Sequence, residues 1–341
     1  MRAVFTDEQL QIEQVMLAMA GHGQKLSRAA VEKGWSPPEF ESRLQADFGS
    51  LGLAEAESGL VDLIVAVEAL ARRLAPARFV AQAMAVQLAA AAGLDVAAAA
   101  AGSATWSPAV NEPGNDGLDA FTTTVRGGTI TGRKTLVAYP DGADALVVAH
   151  RDGVALVAAP AVIPRVCLDP ARPLADVTLD APVIACGPAS SGLARAALLV
   201  AADLCGAGRG ALELGASYVR ERHQFGRPVG SFQGVAFQLA DAFVALTAAW
   251  DLTLYAAWAV QEGVTGAAGH VHAAKAKAGQ AALFAAERTI QVFGGMGITW
   301  EADPHLYLRR ILVADVWMGT SSWHRRQIGR MRVQGGAGHA G

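Results

Sequence analysis

The chain has 341 residues, of which 52% are hydrophobic and 17% charged, and its formal net charge is −3. This composition excludes a disordered or fibrous protein, and the charge gives no whole-chain attraction to nucleic acid. The mean hydropathy is positive, but much of the apolar fraction is alanine, which favours packed helices over a membrane segment. The N-terminus lacks a signal-peptide pattern, and three scattered cysteines lack metal-ligand spacing, so we expect a cytoplasmic protein that binds neither metal nor membrane.

Residues 1–102 are predicted to form an N-terminal helical domain. Thr6 and Gln9 match a capping box, in which the Thr side chain and the Gln side chain each satisfy a backbone amide at the start of a helix. Apolar residues then recur at helical spacing between Leu10 and Met16, with Val15 on the same pattern. A second helical run covers 61–74. We expect both apolar stripes to pack into the core.

The residue pattern changes twice after that domain. Residues 103–189 contain short β-rich runs separated by turn residues, which predicts a β domain built as a small antiparallel sheet or barrel. Residues 190–341 contain long runs of alanine, leucine and valine, which predicts a C-terminal four-helix bundle. The predicted fold class is therefore mainly α with a central β domain.

Two motifs in the C-terminal half of the chain suit a nucleotide cofactor. The stretch Arg222–Gly226 (RHQFG) offers a guanidinium that can pair with a pyrophosphate and, in Phe225, a ring that can pack on adenine; Gln233 follows closely. The stretch Gln291–Gly297 (QVFGGMG) supplies a side-chain amide and then glycines, which let backbone amides approach a ligand.

Together with the stretch Val316–Ser321 (VWMGTS), these motifs resemble the flavin-binding end of the acyl-CoA dehydrogenases, and the helical, β, helical order resembles the layout of that family. The resemblance implies FAD as cofactor, an acyl-CoA substrate and an electron-transfer flavoprotein as electron acceptor. It implies that the first two motifs reach the FAD of a neighbouring subunit. The implied cofactor-binding residues are Arg222, Phe225, Gln233, Gln291, Gly294, Gly295 and Thr320.

The resemblance fails at the catalytic base. The family usually has a glutamate immediately before the last Gly-Thr-Ser, where this chain has Met318. Some relatives carry the glutamate on the first helix of the C-terminal domain, at the position of Ala196. Neither residue can accept a proton, so the prediction is that no catalytic residue occupies either position. Asp203 is two turns beyond Ala196, roughly 10 Å away, and Asp315 is the other candidate for a relocated base.

Other departures lie on the side of the flavin ring. The loop Asn111–Asp116 lacks the threonine and serine that the family places along the flavin and the acyl-CoA. Leu136 stands where a tryptophan normally shields the isoalloxazine, and Arg310 stands where the family often has an aspartate. The altered positions belong to a subunit's own flavin pocket, whereas the retained ones serve the neighbour's cofactor.

This asymmetry resembles the base-less partner subunit of heteromeric acyl-CoA dehydrogenases from steroid-degrading actinobacteria. The leading hypothesis is a partner subunit that completes the FAD site of a catalytic acyl-CoA dehydrogenase subunit in an α2β2 heterotetramer, acting on a bulky CoA thioester such as a steroid fragment. The rival hypothesis is a self-sufficient homotetramer with a relocated base, and a third is a binding or scaffold protein that has lost flavin. His270 and His272 do not have the spacing of a metal pair on a helix, and Lys275 is expected to lie on a solvated helix face.

Overall fold

The structure is a computed structural model, and it describes residues 5–34, 39, 41, 44, 59–76, 78–189 and 191–337. The first four residues, on which the expectation about a signal peptide partly rests, lie outside the described residues.

The first part of the chain is helical, as the sequence predicts. The capping box of Thr6 and Gln9 is confirmed. The apolar face of the second predicted helix is buried, but Leu10 and Val15 of the first helix are 42% and 41% exposed, so the core prediction is wrong for these two residues. The helices are α1 (Asp7–Met19), α2 (Gly23–Lys33), α3 (Leu60–Arg72), α4 (Phe79–Ala91) and the short α5 (Ala97–Ala100).

The central part forms two four-stranded sheets, with strand orders β1-β4-β5-β8 and β2-β3-β7-β6. All pairs in them are antiparallel except β1 with β4, which is parallel because the chain passes through the second sheet between these two strands. The described strands do not close into a barrel, so the sheet alternative of the prediction is confirmed. The strands are β1 (Trp106–Ala109), β2 (Thr124–Arg126), β3 (Thr129–Ala138), β4 (Ala145–His150), β5 (Gly153–Ala158), β6 (Ile163–Arg165), β7 (Leu174–Pro182) and β8 (Ala185–Gly187).

The last part is a helical bundle in which small residues allow close approach. A Cβ added at Gly206 would lie 2.2 Å from the carbonyl oxygen of Glu68 in α3, and one added at Gly208 would lie 2.9 Å from Cα of Ala282. The helices are α6 (Gly192–Glu221), α7 (Gln233–Gln261), α8 (Ala267–Phe293), α9 (Pro304–Val316) and α10 (Ser321–Ala337), and the hairpin β9 (His223–Gln224) and β10 (Arg227–Pro228) joins α6 to α7.

Helix α7 is long and apolar enough to cross a membrane by length and composition alone. In this fold it packs against α6 and α8, and 44% of its apolar window is buried inside the structure. The order of helices and strands along the chain follows the predicted one, while the exact domain boundaries at 102 and 189 stay a prediction.

Candidate cofactor site

The hairpin after α6 presents an aromatic ring to solvent. Arg222 caps the C-terminus of α6, and Phe225 and Gly226 form the two-residue turn, with φ of 54° and 79°. Two positive φ angles are typical of tight hairpin turns, but they are costly for a side chain as bulky as phenylalanine. The Phe225 ring is nevertheless 92% exposed. The chain therefore tolerates a strained, exposed phenylalanine at this turn, which is characteristic of functional sites.

Three polar side chains near this end of the bundle lack partners. The side chains of Arg222, Gln233 and Gln291 are exposed, and within the described part of the chain they form no hydrogen bond and no ion pair. Gln233 opens α7, and Gln291 lies in the last turn of α8. Their donors remain free for a group outside this chain.

The glycine segment after α8 has an open side and a packed side. Gly294 ends the helix with φ of 63°, and residues 294–298 form a 3-10 helix. A Cβ added at Gly294 or Gly295 would meet no other atom within 4 Å, whereas one at Gly297 would lie 2.3 Å from the carbonyl oxygen of Ile290. Bare backbone at the first two glycines can accept a ligand at close range.

A ring stack brings the two motifs to the same end of the bundle. Tyr218, one turn before Arg222, stacks on Phe293, two residues after Gln291; the ring centroids are 3.9 Å apart and the planes are inclined by 12°. The Tyr218 hydroxyl also donates to the carbonyl oxygen of Phe293 at 3.4 Å. Arg222 and Gln291, 69 positions apart in sequence, thus flank one surface.

Thr320 is not part of this surface. The next residue, Ser321, lies against Gly279, and Gly279 precedes Gln291 by twelve residues on α8, roughly 18 Å along the helix axis. The Thr320 hydroxyl accepts a hydrogen bond from the amide of Trp323 at 3.1 Å and lies 3.4 Å from a carboxylate oxygen of Asp116. Its polar groups already have partners inside the chain.

The position of the family's base is buried beside a small pocket. Met318 is 1% exposed and has φ of 52°, an unfavourable angle for a side chain without local polar groups. The remaining cavity is about 10 Å³, which is space for about one water molecule. It is lined by Met84, Pro108, Val110, Asn111, Leu136, Trp317 and Met318, and so by residues from all three parts of the chain.

Trp317 and Leu136 close the β side of this pocket. Leu136 lies at an irregularity in the pairing of β3 with β7, and its φ is 55°. Its carbonyl oxygen accepts a hydrogen bond from Nε1 of Trp317 at 2.9 Å. The guanidinium of Arg172 lies 4.9 Å from the centroid of the same indole. The sheet and the end of α9 are thereby fixed against each other.

The loop that begins at Asn111 is fixed at a buried ion pair. The Glu112 carboxylate accepts hydrogen bonds from the Thr122 hydroxyl at 2.7 Å and from Nζ of Lys134 at 2.8 Å, and it is 3% exposed. Burial alone would raise the pKa of Glu112, but these donors lower it from 4.5 to about 2. Burial lowers the pKa of Lys134 to about 8 despite the carboxylate. Glu112 therefore serves the loop as a buried anion.

The candidate replacement bases are also engaged. Asp203 receives two hydrogen bonds of 2.8 Å from Arg172, and both side chains are buried. Burial would raise the pKa of Asp203, but the guanidinium lowers it below its ordinary value. Asp315 accepts a hydrogen bond from the Ser321 hydroxyl and lies 3.6 Å from Nζ of Lys275. Ala196 is fully buried.

Lys275 is the main residue whose surroundings differ from the prediction. The prediction of a solvated lysine is wrong, because Lys275 is fully buried and donates to the carbonyl oxygens of Asp315 and Gly319 at 3.0 and 3.1 Å. His324 also holds this turn, with Nε2 2.9 Å from the Met318 carbonyl oxygen, and burial lowers its pKa to about 3. No local sequence signal marks this burial, because alanine lies on more than one face of the helix around Lys275.

The two halves of the site differ in how well they suit a flavin nucleotide. The exposed half offers a free guanidinium, two free amides, an exposed aromatic ring and bare glycine backbone, which suit a pyrophosphate and an adenosine. The pocket at Met318 leaves too little room for an isoalloxazine ring. The exposed residues therefore suit the pyrophosphate and adenosine parts of an FAD molecule.

Comparisons with known proteins match part of the chain to a known domain. Residues 188–332 match the family model for the acyl-CoA dehydrogenase C-terminal domain. The chain is 38% identical over 148 residues to acyl-CoA dehydrogenase IpdE2 of Mycobacterium tuberculosis H37Rv; the match covers 43% of this chain and 44% of that protein, less than half its length.

Solved structures extend the likeness to nearly the whole chain. The steroid ACAD Tcur3481-Tcur3483, in its G363A variant, superposes with a TM-score of 0.86 at 24% identity and covers 97% of this chain and 99% of its own. The ChsE4-ChsE5 complex from Mycobacterium tuberculosis gives a TM-score of 0.82 at 22% identity, covering 98% and 99%. The C-terminal part of the chain therefore matches the acyl-CoA dehydrogenase C-terminal domain, and the chain as a whole has the fold of the acyl-CoA dehydrogenase structures.

Proposed function

We propose that this chain is the partner subunit of a heteromeric acyl-CoA dehydrogenase and that it completes the FAD site of a catalytic subunit. The observation that carries the proposal is the pocket at Met318, which is reduced to about 10 Å³ while the polar groups of the hairpin and glycine segments stay free. A chain with a filled flavin pocket and an open adenosine-binding surface is useful only beside a second subunit that has the opposite properties.

In acyl-CoA oxidation, FAD accepts the hydride that leaves the β-carbon, while a carboxylate base removes the α-proton. This chain supplies neither the flavin pocket nor a base at Met318 or Ala196. Arg222 would pair with the pyrophosphate of the partner's cofactor, Phe225 would cover the adenine, and Gln233 and Gln291 would donate hydrogen bonds beside them. The bare backbone at Gly294 and Gly295 permits that close approach. These residues would bind and orient the partner's FAD, and the partner subunit would oxidise the acyl-CoA.

The proposal extends to substrate and setting. The likeness to a steroid ACAD supports a bulky, steroid-derived CoA thioester as the substrate of the assembly. The likeness to a two-component ChsE4-ChsE5 complex supports an α2β2 arrangement of two different chains. Transfer of electrons to an electron-transfer flavoprotein in the cytoplasm belongs to the same proposal.

A self-sufficient homotetramer with a relocated base has less support. The cavity at Met318 is lined by residues none of which carries a carboxylate, within the part of the chain that the structure describes. The acids closest in sequence to the two base positions are held by Arg172 or by Ser321 and Lys275. A scaffold that has lost flavin altogether would have no use for an exposed, strained Phe225 beside free donors.

The test compares two exposed arginines in the complex with the catalytic subunit. Arg222→Ala should lower the FAD content of the co-purified complex, because it removes the guanidinium assigned to the pyrophosphate. Arg332→Ala is the control: this residue is also exposed and unpaired among the described residues, but the adjacent Met331 lies against Gly269, at the opposite end of α8 from Gln291. An Arg222→Ala complex that retains its full FAD content would contradict the proposal.

A further inference from the structure

The glycine segment depends on contacts outside the bundle to keep its shape. It leaves α8 at Gly294, and its open backbone at Gly294 and Gly295 touches nothing on its outer side. At its near end the Tyr218–Phe293 stack fixes it to α6. A second anchor is needed at the far end, because a short glycine-rich segment is otherwise free to change conformation.

Arg28 of α2 provides that anchor. Its Nη1 donates to the carbonyl oxygen of Trp300 at 2.6 Å, and its Nε donates to the Asp303 carboxylate at 2.6 Å. Gln24, one turn earlier on α2, donates to the other oxygen of Asp303 at 2.5 Å. The planar guanidinium thus joins the end of the segment to the start of α9 in a fixed geometry.

The Asp303 side chain binds α2 rather than capping its own helix. Asp303 is the N-cap residue of α9, where an aspartate usually accepts a hydrogen bond from an amide of the first helical turn. Its side chain makes no such bond and binds Arg28 and Gln24 instead. The helix gives up a stabilising cap, and the glycine segment gains a link to a helix more than 270 residues away in sequence.

We propose that Arg28 is a positioning residue for FAD binding: it does not touch the cofactor but holds the segment 294–303 in the shape that exposes Gly294 and Gly295. This inference rests on the proposed function, since it assigns the exposed glycines to the partner's FAD. It places part of the control of cofactor binding in the N-terminal helical region, which carries none of the cofactor motifs.

The test measures the dissociation constant for FAD in the complex with the catalytic subunit. Arg28→Ala should raise it about tenfold, the effect of losing one charge-assisted contact. Arg28→Lys should lie between Arg28→Ala and the unchanged chain, because an ammonium group keeps the charge but not the fork that joins Trp300 to Asp303. Arg73→Ala, which breaks the exposed pair with Glu213, is the control and should have no effect.

A second measurement uses the free chain. Amide hydrogen exchange of the segment 294–303 should become faster in Arg28→Ala, with exchange in α6 and α8 unchanged, because only the far anchor of the segment is lost. A merely destabilised fold would speed exchange throughout the bundle.

The outcomes separate the two proposals. If Arg222→Ala weakens FAD binding and Arg28→Ala changes neither FAD binding nor exchange, the positioning role is overturned and the proposed function stands. If neither variant changes FAD binding, the proposed function itself fails. If Arg28→Ala speeds exchange in the segment and weakens FAD binding while the control does not, both are supported.

Discussion

At the scale of single residues, Met318 and Leu136 fill the space at the position where the family usually has a glutamate. Met318 and Leu136 both have positive φ angles, and both side chains line the small pocket that remains. The His324 side chain lies in hydrogen-bond contact with the carbonyl oxygen of Met318, and Lys275 donates a hydrogen bond to that of Gly319. The turn is thus fixed in a conformation that directs an apolar side chain into the place where an acyl-CoA dehydrogenase needs a carboxylate.

Replacing Met318 by the glutamate that the family usually has at this position should therefore destabilise the chain and give no dehydrogenase activity. Met318→Glu places a carboxylate in a pocket whose lining, among the described residues, carries no positive charge, and we expect a loss of about 3 kcal/mol in the free energy of unfolding. Urea denaturation measures that loss, with Met318→Leu as a control that should cost less than about 1.5 kcal/mol because it keeps the volume. We also expect no turnover of acyl-CoA with an artificial electron acceptor; activity gained by this one substitution would refute the closed pocket.

At the scale of elements, the loop from Asn111 is part of the closure. Asn111 donates to the carbonyl oxygen of Val316 at 2.9 Å, and Asp116 pairs with Arg326 of α10 at 2.6 Å. A Cβ at Gly117 would lie 2.0 Å from the indole nitrogen of Trp323, so the loop lies directly on that helix. The buried pair of Glu112 and Lys134 fixes its base.

The free energy of unfolding should depend on pH because of the buried ion pair between Glu112 and Lys134. The folded pKa of Glu112 is depressed from 4.5 to about 2, so its contribution to stability is complete above about pH 4.5 and is lost as the pH falls towards 2. Glu112→Gln should cost about 3 kcal/mol at pH 7, because Lys134 remains buried without its partner. The difference between the two proteins in urea denaturation should shrink as the pH falls from 4.5 towards 2. A difference that does not change with pH over this window would argue against the ion pair.

The elements themselves were predictable, but several of their contacts were not. Helices such as α3 and α6 follow from apolar spacing, and the motifs at Arg222 and Gln291 follow from residue types that suit a nucleotide. Lys275 was misplaced because local pattern does not show which face of an alanine-rich helix is covered. The contact between Arg28 and Asp303 joins distant parts of the chain, and no local pattern encodes it. The irregular turns at Leu136 and Met318 depend on packing among three parts of the chain.

At the scale of the whole molecule, the closed and open surfaces are separate. The closed pocket lies where helix α4, strand β3 and the end of α9 meet. The open surface lies at the end of the bundle where α6 and α8 are joined by Tyr218 and Phe293. On the proposed function, two copies of this chain would bring together two open adenosine surfaces and two filled flavin pockets, and a complete FAD site would require a different chain.

The most direct test is the FAD content of the chain purified alone and of its complex with the catalytic subunit, measured by flavin absorbance against protein concentration. We expect no bound FAD in the chain alone and one FAD for each pair of unlike chains in the complex, because each pair offers one open flavin pocket. Stoichiometric FAD in the chain alone, together with turnover of an acyl-CoA, would contradict it.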